Sequence, residues 1–258
     1  MTTQKEDTMS QPTTPTPAAR PRRVVFWHII ATTLYLGTWI WAIVLVVTLG
    51  VPFAVDFFGG HTGSIYSGAS QAPRWFLFVL AIIVVAEGLG PNIALGVTRR
   101  AFVAQHVAGF AVVAAVFGVV SLAMTFVERW FYERLGWPLE TFYGQHPVVT
   151  DPWPLVYVDH ALLLAVYAVA GLAVGAVYYR WRGWIGTLAL PLTVGPVLLA
   201  ATVLPHVDAT DTAEVLRLDG LPYVAGLAIA VAAAAWLWAT AHVALRGAAV
   251  RQRTTTSS

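Results

Sequence analysis

The sequence predicts an all-α membrane protein with six transmembrane helices and both termini in the cytoplasm. Three observations carry that prediction. The 258 residues are 58% apolar and 11% charged, with a mean hydropathy of +0.69, whereas a soluble domain is roughly half apolar and about a quarter charged. The apolar residues gather in runs of about 20, the length at which a helix crosses a hydrocarbon core. The cations sit in alternate connecting segments. A β-barrel would instead show short alternating segments.

Residues 1–19 are polar, with Pro12, Pro15 and Pro17 among threonines, and are expected to form a disordered cytoplasmic tail. No cleavage-site pattern follows the first apolar run, so no signal peptide is expected. The transmembrane domain is placed at 20–248 and a second cytoplasmic tail at 249–258. The first run, Val24–Leu49, opens with Phe26, Trp27 and His28, which suit the membrane interface. Pro52, Asp56, Gly59 and Gly60 mark a loop expected to continue through Gln71. Spans follow at about Trp75–Leu95 and Phe102–Val127. A polar segment, Glu128–Pro154, separates them from spans at Leu155–Tyr179 and Trp184–Leu204. A polar, acidic loop then leads to the last span, Leu221–Leu245.

Charge sets the orientation. Of the 15 Lys and Arg residues, 11 lie in the N-terminal segment, the turns at 96–101 and 180–183, and the C-terminus. They are Lys5, Arg20, Arg22, Arg23, Arg99, Arg100, Arg180, Arg182, Arg246, Arg251 and Arg253; the other side has Arg74, Arg129, Arg134 and Arg217. The positive-inside rule places the first set in the cytoplasm. Trp27, Trp75, Trp130, Trp153, Trp181 and Trp184 fall at expected helix ends, as interfacial aromatic belts require. Cations scattered in pairs at helix ends make no nucleic-acid surface.

Committed chemistry is scarce. The chain has no cysteine, which removes disulfides, iron–sulfur clusters and thiolate zinc sites. No phosphate-loop motif, H-E-x-x-H or G-x-S-x-G occurs. Neither a catalytic set, a metal site nor a cofactor is expected, and the chain is not expected to be an enzyme. Bis-histidine haem needs ligands at matched depth. Only His28 and His242 offer that, so interface histidines are the better reading. Asp159 has no second aspartate at its depth for an intramembrane protease.

Glu87, within the second span, is the most unusual residue. An unpaired carboxylate there costs about 2.5–3.5 kcal/mol on insertion scales. His106 lies at comparable depth on the next helix. The pair Glu87–His106 reads either as a proton-linked or substrate-contacting site or as a helix–helix hydrogen bond. Pro91, Pro191 and Pro196 remove helical hydrogen bonds and mark kinks or hinges. Gly171 and Gly175 have the spacing of a close-packing helix face, and Ala232–Ala235 offers a smooth patch.

The turn between the second and third spans concentrates these signals. Gly96 permits a reversal, Thr98 suits a helix cap, and Arg99 and Arg100 follow. Topology alone explains two arginines, and Arg100 is placed to reach lipid phosphate or an acidic partner.

The stretch A-L-G-V-T-R-R-A-F (Ala94–Phe102) and the run G-A-V-Y-Y-R-W-R-G-W-I-G (Gly175–Gly186) resemble small actinobacterial permease subunits of the ATP-binding-cassette type-2 exporter class. The resemblance covers about Arg23 to Arg246. It implies six helices with cytoplasmic termini and a short amphipathic helix leading into the first span. It also implies a homodimer or heterodimer of permeases in the plasma (inner) membrane, driven by a separate ATPase subunit. By position, Gly96, Thr98, Arg99, Arg100 and Phe102 would form the element that couples to that ATPase. Pro205–Gly220 departs from the family pattern, because it is acidic rather than an apolar re-entrant hairpin. The implied function is export of an unidentified, amphipathic substrate. The alternative is a non-transporting membrane scaffold or envelope-stress sensor.

Overall fold

A computed structural model describes residues 20–58, 63–137, 139, 152–181, 183–204 and 221–247. The two tails, most of the segment between the third and fourth spans, and the acidic loop at Pro205–Gly220 lie outside the described residues. Every regular element among the described residues is helical, and six helical stretches are long and apolar enough to cross a membrane. The chain is a multi-pass helical membrane protein.

The helices are α1 (Arg20–Phe57), α2 (Ile65–Ala69), α3 (Gln71–Ala94), α4 (Arg99–Leu135), α5 (Trp153–Trp181), α6 (Gly183–Leu188), α7 (Leu190–Val203) and α8 (Tyr223–Arg246). We call the end with the α1 N-terminus and the α8 C-terminus proximal, and the opposite end distal.

Four elements differ from expectation. The 38 residues of α1 form one helix that carries Pro52 inside it. At 1.5 Å per residue it is roughly 57 Å long, far more than a hydrocarbon core. Its first turns are therefore continuous with the span rather than a separate helix. Pro52 removes one hydrogen bond but does not end the helix, because the apolar run through Val51, Phe53, Ala54 and Val55 continues past it.

The expected loop up to Gln71 contains α2. Ser70 is at once the C-cap of α2 and the N-cap of α3, with φ −58° and ψ −18°. The two helices are therefore nearly continuous. The third span does not stop at Val127. Its helix runs on through Glu128 to Leu135, supported by an Arg129–Glu133 pair at 2.8 Å, and ends where Gly136 takes φ 68°. A left-handed residue at that position is the common helix terminator. The fifth span is broken at Ala189, so Pro191 lies in the first turn of α7 and Pro196 inside it.

The core is built around α5. This helix packs against α3, α4, α7 and α8, and is buried on nearly every side from Leu163 to Val177. Small residues let those neighbours approach. A Cβ at Gly171 would overlap the Phe78 carbonyl oxygen of α3, and one at Gly175 would press on Ile82 and Val85. At the α4–α5 contact, a Cβ at Gly118 of α4 would meet Ala161 of α5. The glycine spacing legible in the sequence thus packs α5 against α3 within the chain. The outer flanks of α1, α7 and α8 expose large apolar residues such as Trp39, Val46, Leu198 and Val224.

Candidate functional site

At the proximal end the structure builds a rigid basic turn. Pro91 lacks an N–H, so it cannot bond the Glu87 carbonyl. Asn92 steadies the loosened turn by donating from Nδ2 to the Gly88 carbonyl at 2.8 Å. The Asn92 carbonyl then accepts from Val97 N at 2.9 Å, and the Ile93 carbonyl from Gly96 N at 2.9 Å. Gly96 has φ 83°, a backbone state that costs other residues and suits glycine. Thr98 caps α4: its side chain accepts from Ala101 N at 3.2 Å.

Phe102 is buried one turn later and lies 4.0 Å, centroid to centroid, from the His106 ring. The turn is therefore tied on both sides. Its tip presents Leu95, which is 74% exposed, together with exposed Arg100. Arg99 is half-buried, and its Nε has no hydrogen-bond partner.

The last turn of α8 closes against this end. Arg180 stacks over Trp181 at 4.6 Å and donates to the carbonyls of Val243 and Ala244, each at 3.3 Å. A cation on the final carbonyls of a helix is favourable with the helix dipole. Arg246 lies in the last turn of α8, at this same end. Arg99, Arg100, Arg180 and Arg246 thus mark one positive end of the fold.

The other expected site residues are placed differently. His106 is buried, and its Nδ1 donates to the Phe102 carbonyl at 2.7 Å. Glu87 is on an exposed face of α3. Among the described residues, no three His, Asp or Glu side chains converge as a metal site would require.

Sequence reading missed a buried polar layer at the distal end. Glu128, 1% exposed, accepts from Ser64 Oγ at 2.6 Å on one carboxylate oxygen and from Tyr66 N at 2.8 Å on the other. Ser64 is the N-cap of α2 and also accepts from Ser67 N at 3.1 Å. Ser67 Oγ donates to the Ser64 carbonyl, Ser70 Oγ to the Ser67 carbonyl, and Arg74 Nη2 to Ser70 Oγ, each at 2.9 Å. Tyr132, one turn beyond Glu128, donates to the Gly63 carbonyl at 3.0 Å. A continuous hydrogen-bonded chain thus links Arg74 of α3 to Glu128 of α4 through α2.

Asp159 forms a second buried link. It has no exposed surface and accepts from Tyr223 Oη at 2.8 Å, which joins α5 to α8. The signal for the first link was present in the sequence. Ser64, Ser67 and Ser70 recur every third residue with Arg74 four further on, the spacing of one helical face.

Tyr223→Phe removes one donor from a buried carboxylate. A hydrogen bond to a charged group contributes about 1.5–3 kcal/mol. The variant is expected to melt earlier in detergent, while Tyr157→Phe, whose hydroxyl makes only a 3.5 Å contact with the Ala115 carbonyl, leaves the melting temperature nearly unchanged.

Comparison with known families, curated proteins and solved structures gives no match for the chain.

Proposed function

We propose that the chain is the membrane-spanning permease subunit of an ATP-binding-cassette exporter, with the proximal end facing the cytoplasm of the plasma (inner) membrane. One observation carries the reading. The α3–α4 turn at the proximal end, tied by its own backbone bonds and capped by Thr98, presents exposed Leu95 and Arg100 beside half-buried Arg99, and it begins a single 37-residue helix. That helix is roughly 55 Å long and ends at the buried distal layer. A partner pressing on the turn would move a continuous rod whose far end holds the opposite face together.

Leu95 and Arg100 offer an apolar anchor beside a cation, which suits an acidic groove with an apolar floor. Gly96 and Thr98 fix the shape of the turn, and Phe102 roots it in the bundle. The energy source is a separate ATPase subunit. The exposed flanks of α1, α7 and α8 face lipid or a second permease. The substrate is amphipathic, in keeping with a bundle lined by Ala, Val, Leu and aromatic residues.

Purification of the tagged chain from its native membrane in mild detergent is expected to bring down a phosphate-loop ATPase in stoichiometric amount. Recovery of the chain from its native membrane with no nucleotide-binding protein would contradict the reading.

A further inference from the structure

We propose that Glu128 is a latch: by holding the N-terminus of α2, it closes the distal end between the second and third spans, and releasing it opens that end to water.

α3 is held chiefly by α5, packing along its length, and touches α4 only sparingly. The α3–α4 hairpin is joined at two places. One is the proximal turn. The other is the distal layer, where α2 extends α3 and Glu128 reaches across from α4. Tyr132 adds a bond to Gly63 just ahead of α2.

Glu128 is matched to this task. A carboxylate only accepts, and both of its oxygens are in use. Its partners are the N-cap hydroxyl of Ser64 and a backbone amide in the first turn of α2. Those first-turn amides have no acceptor within the helix. A buried carboxylate with such partners is stable only while they stay in place. Once α2 lifts away, carboxylate and amides alike favour water, so the open state is solvated rather than penalised. The bonds join α4 to α2, elements that otherwise barely touch, while α2 itself rests chiefly on α1 and Tyr66 packs on the apolar core. Release of Glu128 therefore frees α2 from α4 and leaves its seat on α1 in place.

Glutamine at 128 has the right size but no charge: its oxygen can still accept from Tyr66 N, while its amide can only donate to Ser64 Oγ, so a charge-assisted bond is exchanged for a weaker neutral one. The absence of native cysteine makes single-cysteine reporters clean. Ile65→Cys reports the latch, since Ile65 is 6% exposed, and Val97→Cys reports the proximal end at equal exposure. Gly68→Cys, on the exposed face of α2, gives full labelling.

With Glu128 intact, a membrane-impermeant maleimide is expected to label Ile65→Cys slowly. In the Glu128→Gln background the rate rises at least tenfold, towards that of Gly68→Cys, while Val97→Cys stays protected in detergent. Ser64→Ala, which removes one of the two bonds, gives an intermediate rate. It also carries the test if the Glu128→Gln protein elutes aggregated. Unchanged protection of Ile65→Cys in a monodisperse variant overturns the proposal. So does equal opening of Ile65→Cys and Val97→Cys, which would be general loosening. None of these readings depends on an ATPase.

Discussion

Gly171→Leu is expected to give a protein that no longer elutes as a monodisperse species, or that melts far below the parent. Two effects compete. Replacing a helical glycine gains about 1 kcal/mol of helix propensity. Overpacking a tight core costs typically 1–3 kcal/mol, and more when the obstacle is backbone that cannot rotate aside.

At Gly171 the obstacle is the Phe78 carbonyl, with the Ala81 methyl behind it. The new side chain can be accommodated only by moving α3 off α5. That contact is the most extensive in the bundle, and in lipid helices associate through close packing rather than hydrophobic burial. The steric cost therefore wins. Gly50→Ala is the matched control: nothing lies within 4 Å of a Cβ there, and stability is expected to hold or rise slightly. Fluorescence-detected gel filtration with a thermal ramp reads both.

The six spans were legible in the sequence because apolar length is a direct consequence of bilayer thickness. Their neighbours were not. Lipid is as apolar as a protein core, so hydropathy does not separate the outward residues of α1, such as Trp39, from the enclosed ones of α5. What distinguished α5 was its small residues. Gly171 and Gly175 were read as a close-packing face, and the structure places α3 on them.

The turn was also legible, since Gly96 and Thr98 act through local backbone chemistry. Glu128 was not. It looked like the first residue of a polar loop, because its role depends on Ser64 and Tyr66, more than 60 residues away. Asp159 has no acidic partner at its depth in the sequence; in the fold it accepts from the Tyr223 hydroxyl, 64 residues away. Glu87 stands out in the sequence as a carboxylate in an apolar run. A one-dimensional pattern does not show which face of α3 carries it, and that face is exposed.

Arg99→Glu/Arg100→Glu is expected to have the largest functional effect of any change outside the core. The cations sit at the tip and first turn of α4, away from the α3–α5 contact, so folding should survive. The other basic residues of the proximal end keep the orientation signal. An acidic docking groove would meet two carboxylates in place of two guanidiniums, and like charges across an interface cost several kcal/mol. At 1.4 kcal/mol per decade, that is on the order of a 100-fold loss of affinity or more. Arg99→Lys/Arg100→Lys keeps the charge and should retain most of the binding.

The direct measurement is the dissociation constant of the purified ATPase for the chain in nanodiscs, wild type against the double charge reversal, in low and high salt. The account predicts tight, salt-sensitive binding by the wild type and a loss of about 100-fold or more in the reversal. Equal affinity for the two proteins, with both correctly inserted, would contradict it.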